Sequence, residues 1–122
     1  MPYILWQLYF PTVFKDNGGF DIIVGNPPYG AKFSSNMKAA LNRIFNNSYV
    51  PDYESSDFFI ELGYKLLKTQ GILSFIAPNM FMANIFAKKY REHLLYNWSI
   101  QHIDNFSDVD VFDNAKVRKI AF

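Results

Sequence analysis

Phe20-Asp21-Ile22-Ile23-Val24-Gly25-Asn26-Pro27-Pro28-Tyr29-Gly30 is the stretch on which the reading of this 122-residue chain turns. Residues 20–25 form a short apolar, β-branched run, the composition of a buried strand. The run stops at two consecutive prolines, which have no N–H to give to a ladder, so the sheet ends there. Asn17-Gly18-Gly19, just before it, reads as a turn, because glycine supplies the positive φ that such turns need. A loop at the C-terminal end of a buried strand is where open α/β sheets place their ligands.

Working outward, residues 3–14 are aromatic and irregular. A short helix is predicted over 34–46, capped by Ser34 or Ser35, with Ala40, Leu41, Ile44 and Phe45 as its apolar stripe. Residues 47–56 are polar and loop-like. A stronger helix follows over 56–68, with Phe58, Phe59, Leu62, Leu66 and Leu67 on one face and Gly71 as its stop. Residues 72–77 read as a second buried strand, ended by Pro78-Asn79. A third helix is predicted over 84–96, with Tyr90, Leu94 and Leu95 facing inward. Residues 99–106 and 117–122 are further candidate strands on either side of a loop at 110–114. Strand, helices, strand and helix in alternation predict an α/β fold with a mostly parallel sheet, and the short link between the last two strands predicts an antiparallel final pair.

Half of the residues are hydrophobic and 19% are aromatic, which excludes a disordered chain. The thirteen Phe and eight Tyr are expected to lie mostly in the core. Net charge is +1, without the basic stripe of a self-sufficient nucleic-acid binder. The small groups Lys88, Lys89, Arg91 and Lys116, Arg118, Lys119 read as solvated faces before they read as phosphate contacts. The absence of cysteine excludes disulfides, thiolate metal sites and a cysteine nucleophile, and fits a cytoplasmic protein. No stretch is long enough to span a membrane, and the apolar opening lacks the basic leader and cleavage site of a signal peptide.

Asn26-Pro27-Pro28-Tyr29 carries the chemistry. The lone pair of an exocyclic amine is delocalised into its ring, so the amine is a weak nucleophile. Acceptors aimed at its N–H bonds favour a pyramidal nitrogen and stabilise the positive charge that develops on attack. Asn26 offers its amide oxygen and Pro27 its carbonyl, while the prolines, Pro28 included, stiffen the loop so that both acceptors are in place beforehand. Tyr29 can stack on a planar substrate. A base in a duplex must first be rotated out, and stacking on an aromatic ring stabilises that state by about 1–3 kcal/mol. Phe112, in the loop at 110–114, is a candidate for the second face.

The same stretch resembles the catalytic motif of N6-adenine-specific DNA methyltransferases, in particular the large type IIG restriction–modification and related phage-defence enzymes. The similarity continues through Trp6, Phe10-Pro11, Val13-Phe14 and Asn17-Gly18-Gly19 before the motif. After it come Phe59-Ile60-Glu61, Leu66-Leu67-Lys68 and Gly71-Ile72-Leu73-Ser74-Phe75-Ile76, then Pro78-Asn79-Met80-Phe81, and last Val111-Phe112 with Ala115 and Val117. Where this chain has Gln70-Gly71, the family often has two glycines. The resemblance implies the C-terminal half of a Rossmann-like class I S-adenosylmethionine-dependent methyltransferase domain spanning 1–122. It implies catalytic roles for Asn26, Pro27, Pro28 and Tyr29, substrate stacking by Tyr29 and Phe112, a cofactor contact by Asn26, and double-stranded DNA as the partner. The Gly-rich cofactor loop and the acidic ribose ligand of that family have no counterpart before Phe20. The chain is therefore expected to be a fragment that needs an N-terminal cofactor half and a target-recognition domain, and alone to bind cofactor poorly and methylate nothing.

Other readings compete. RNA and protein-glutamine methyltransferases use the same tetrapeptide, and a non-catalytic remnant or a subunit of a split enzyme would look similar. Asp57 is either part of the cofactor site or an ordinary first-turn helix acid. Pro51-Asp52, Glu61 and Lys65 only faintly resemble a metal-nuclease pattern, because Glu61 and Lys65 stand four apart on a helix, as surface pairs do. His93 and His102 have no metal-ligand company and read as surface or structural residues.

Overall fold

The computed structural model describes residues 5–46, 54–106 and, for backbone only, 119–121. Its elements run α1 (Trp6–Tyr9), α2 (Pro11–Asp16), β1 (Phe20–Gly25), α3 (Ser35–Ile44), α4 (Ser55–Leu66), β2 (Leu67–Pro78), α5 (Met80–Ala83), a 3₁₀ turn (Ile85–Ala87), α6 (Lys88–Asn97), β3 (Asp104–Asn105) and β4 (Lys119–Ala121). The sheet order is β1-β2-β4-β3. β1 pairs with β2 in parallel, with Ile22 opposite Ile72 and Gly25 opposite Phe75, while β4 runs antiparallel to both β2 and β3. The chain is thus mixed α/β with parallel strands at the position of the decisive motif, but among the described residues the sheet is not mostly parallel, because β4 pairs antiparallel on both of its sides.

The turn before β1 forms as expected, with Gly18 at φ 77° and Gly19 at φ 148°. Gly19 is also a close approach: a Cβ there would stand 2.6 Å from the backbone nitrogen of Lys68 and 2.7 Å from the carbonyl oxygen of Leu66. The amide of Asn17 closes the turn by donating to the Gly19 carbonyl at 2.9 Å and to Asp21 Oδ2 at 3.1 Å. Trp6, Phe10 and Phe14 gather around Phe20, each ring edge-on to it at 5.4–6.0 Å. The aromatic lead-in is therefore helical, broken once by Pro11 at the first position of α2, where proline is tolerated.

Ser34 caps α3, accepting from the Met37 N–H at 3.3 Å. The expected stripe on α3 is only partly used: Phe45, just past its end, is buried, whereas Ile44 is exposed. The reason is that α3 is anchored through its C-terminal end. Lys65 Nζ donates to the Ile44 carbonyl at 2.7 Å and lies 4.8 Å over the Phe45 ring, which in turn packs on Phe58. On α4, Phe58, Ile60 and Leu66 are buried and Phe59 is exposed. The helix ends at Leu66, so Leu67 and Lys68 open β2 instead of extending α4. Between the pairs Phe20/Leu67 and Ile22/Ile72 the register slips, and the surplus on β2 is taken up at Gln70, whose φ is 65°.

The core lies on one side of the sheet. Ile60 of α4, Phe75 and Ala77 of β2, Ala87, and Tyr90 and Leu94 of α6 form it, with Ile23 and Leu73 packed against them. Leu95, expected inside, is exposed, because α6 buries only its Tyr90–Leu94 stripe. The aromatic content is also less internal than its type suggests: Tyr9, Phe10, Phe59, Tyr64, Phe86 and Tyr96 are exposed. One face of the sheet has no layer over it among the described residues, so there are fewer buried places than aromatic rings. Ile22, Val24 and Ile72 point to that open side and are more than half exposed. β3 is shorter than the strand predicted at 99–106, in keeping with its place at the sheet's far edge, and β4 lies between β2 and β3.

Candidate active site

β1 delivers Asn26 to the end of the sheet. Pro27 is buried beneath it, and Asn26 and Pro28 are exposed. The three residues stand at one end of an open apolar hollow of about 540 Å³ that runs along β1. Its walls are Trp6, Phe20 and Val24 on one side and Phe59, Leu62 and Leu66 of α4 on the other. That volume is within the range of small-molecule sites, which are commonly apolar with a few placed polar groups. Among the lining residues Asn26 is the polar side chain.

Tyr29 is half-buried. Its hydroxyl donates to Asn26 Oδ1 at 2.7 Å and approaches the Ile76 carbonyl at 3.3 Å. Partial burial raises the Tyr29 pKa above the usual value, so the phenol keeps the proton it donates. An amide oxygen has two lone pairs, so Asn26 retains a second acceptor direction while Tyr29 is bound.

The loop is held from α4, a contribution that sequence reading missed. Ser55 is fully buried, and its hydroxyl donates to the Pro28 carbonyl at 2.6 Å and accepts from the Ala31 N–H at 3.2 Å. Glu54 Oε2 accepts from the Gly30 N–H at 2.9 Å. No spacing in the sequence signals these bonds, since serine and glutamate before a helix read simply as its start.

Asp57 sits two residues farther along α4 and does not line the hollow: it is 2% exposed and its Oδ1 has no partner among the described residues. Burial raises its pKa to about 7. Tyr90, fully buried nearby, is pushed well above its ordinary pKa by burial and then by the Asp57 and Glu61 carboxyls. Glu61 bonds Lys65 at 3.3 Å, but with Glu61 1% exposed the pair is half-buried, not the surface pair expected from its spacing. The basic group on α6 is taken up locally: Arg91 Nη1 donates to the Phe81 and Asn84 carbonyls at 2.7 and 2.6 Å, and Lys89 to the Asn46 carbonyl at 3.3 Å. Among the described residues no cluster suits a metal ion, and no helix is long and apolar enough to cross a membrane. Phe112, Asp52, Lys116 and Arg118 lie outside the described residues.

An Asn-Pro-Pro-Tyr loop, held at the C-terminal end of a parallel strand and opening on an apolar hollow, defines the class: an α/β protein with a hollow at a strand end, where such sheets place their ligands. Comparison with known proteins gives the family. The Eco57I restriction-modification methylase family model matches residues 3–112, and the chain belongs to that family. It is 32% identical over 112 residues to a putative type II restriction enzyme and methyltransferase, RM.MjaORFECS2P, of Methanocaldococcus jannaschii, covering 92% of this chain and 9% of that protein. It is 34% identical over 102 residues to the type II restriction enzyme and methyltransferase RM.Eco57I of Escherichia coli, covering 80% of this chain and 10% of that protein. It is 29% identical over 115 residues to the type II methyltransferase M.BstVI of Geobacillus stearothermophilus, covering 92% of this chain and 19% of that protein. The chain therefore spans between about a tenth and a fifth of the length of these relatives.

Proposed function

We propose that residues 1–122 form the target-base half of a DNA methyltransferase domain that transfers a methyl group from S-adenosylmethionine to the N6 amine of a flipped-out adenine, within a restriction-modification system. The observation that carries this reading is the exposure of Asn26 at the mouth of the hollow, with Pro27 fixed beneath it and Tyr29 bonded to it. Asn26 Oδ1 and the Pro27 carbonyl accept from the two N–H bonds of the amine, and Tyr29 and Phe112 stack on the base. As the amine takes up the methyl, the methyl–sulfur bond would break, the sulfur would leave as a neutral thioether, and the amine would lose a proton to solvent.

The described residues fit S-adenosylmethionine only at its reactive end. Beside the apolar walls, Asn26 is the polar side chain at the mouth, and no lining side chain answers the ribose hydroxyls or the charged amino-acid end. When bound, the cofactor supplies an electrophilic methyl carried on a sulfonium. Asn26 would hold that end, and Asp57 stays in the core.

The remaining contacts come, on this reading, from a further part of the domain seated against β1. β1 is the terminal strand in the sheet order, and Ile22 and Val24 are 62% and 73% exposed. Covering two such partly exposed side chains is worth about 1–2 kcal/mol each. Such a reaction is carried out on double-stranded DNA in the cytoplasm.

The test is a chimera: M.BstVI with its matching segment replaced by residues 3–112, incubated with S-adenosylmethionine and unmodified DNA, the digest analysed for methylated nucleosides. N6-methyladenine is expected. A different methylated base, or methylation of RNA or a glutamine peptide in preference to DNA, would redirect the assignment. Methyl transfer by the unassisted 122-residue chain would overturn the half-domain reading.

A further inference from the structure

We propose that Ser55 is a positioning residue of the catalytic loop, setting which of its carbonyls face the substrate. This rests on the methyltransferase reading of Asn26–Tyr29. Ser55 is fully buried yet belongs to neither the hollow nor the hydrophobic cluster of the core. Its hydroxyl is committed in both directions to the loop, at the Pro28 carbonyl (2.6 Å) and the Ala31 N–H (3.2 Å). One side chain thus brackets Tyr29 and Gly30 from both sides. The bond to Pro28 turns that carbonyl toward the start of α4 and fixes the Pro28–Tyr29 peptide plane, since a peptide group rotates as a unit. Asn26 and the Pro27 carbonyl are left as the loop's acceptors at the mouth, and the Tyr29 ring is set at a fixed angle to them.

Glu54 reinforces the clamp from the neighbouring position, accepting from the Gly30 N–H at 2.9 Å. Glu54 is partly exposed, so water can replace its bond; water cannot reach the Ser55 bonds without opening the start of α4. Gly30 itself is at φ 62°, a conformation that glycine adopts without strain.

The experiment has two readouts. In the 122-residue chain, Ser55→Ala should speed amide exchange at Ala31 by about tenfold or more while leaving the ladder amides of β1 unchanged, and Ser55→Thr, which keeps the hydroxyl, should restore protection. In the M.BstVI chimera, Ser55→Ala should lower kcat by about a hundredfold with KM for S-adenosylmethionine within about twofold, the mark of misplaced acceptors and not of lost binding. Unchanged exchange at Ala31 overturns the proposal, and so does exchange that accelerates equally throughout the sheet, which would make Ser55 merely structural. If the unsubstituted chimera transfers no methyl, the proposed function fails, and the exchange measurement alone decides the role of Ser55.

Discussion

The Tyr29 hydroxyl donates to Asn26 Oδ1 at 2.7 Å, so the first and last side chains of the Asn-Pro-Pro-Tyr loop are bonded to each other. The bond holds the amide oxygen in one orientation and keeps the tyrosine ring beside it. It also separates two contributions of Tyr29 that substitution can resolve. Tyr29→Phe keeps the stacking plate and loses the bond; Tyr29→Ala loses both. In the M.BstVI chimera we expect Phe to retain activity within about tenfold, and Ala to lose roughly the 1–3 kcal/mol of a base–aromatic stack in addition. Equal losses for the two variants would show that the ring makes no contribution.

On the proposed function, Asn26→Ala removes an acceptor that stabilises developing charge on the amine. Loss of one preorganised group of this kind costs on the order of 100- to 1000-fold in turnover. Binding of S-adenosylmethionine by the chimera, followed calorimetrically, is expected to persist. Turnover that survives the substitution would remove Asn26 from its role.

Asp57 predicts an unusual dependence of stability on pH. Its folded pKa, about 7, lies above the ordinary 3.8, so the unfolded chain gives up this proton more readily than the folded one. Its contribution is most favourable below pH 3.8 and declines as pH rises through 3.8 to about 7, by on the order of a few kcal/mol. Asp57→Asn, which cannot ionise, should raise the thermal midpoint at pH 8 by about 5 °C or more, with the gain shrinking towards pH 4. A gain independent of pH would mean that burial of this charge is not its origin.

Gln70 adopts φ 65° without being glycine, at the point where β2 takes up its register slip. A side chain in that conformation costs roughly 1–2 kcal/mol, and glycine returns part of it as added entropy of the unfolded chain. Gln70→Gly should therefore stabilise the chain by about 0.5–1 kcal/mol in urea unfolding, with an unchanged m-value. Destabilisation would mean that the Gln70 side chain makes a compensating contact.

The strand-and-loop unit was legible because each of its signals is local. A β-branched run, two prolines that cannot join a ladder and two glycines at positive φ mark the turn, the strand and the strand's end over residues 18–28. The periodicity of 56–68 likewise marked α4, although not that Leu67 and Lys68 would leave it for β2. Leu67 and Lys68 favour helix locally, and the pairing of Leu67 with Phe20 overrides that preference.

By itself, then, the order of residues determined the strand at 20–25 and the proline-bounded loop at its end, because both follow from backbone preferences within a few positions. Only the tertiary structure decided that Ser55 and Glu54 reach back 24–27 positions to hold the loop, that Asp57 turns into the core and away from the hollow, and that Ile22 and Val24 stay uncovered. Those outcomes depend on which surfaces the chain's path brings together. Periodicity reports that a residue has an inward or outward face, and not which polar group will meet it there.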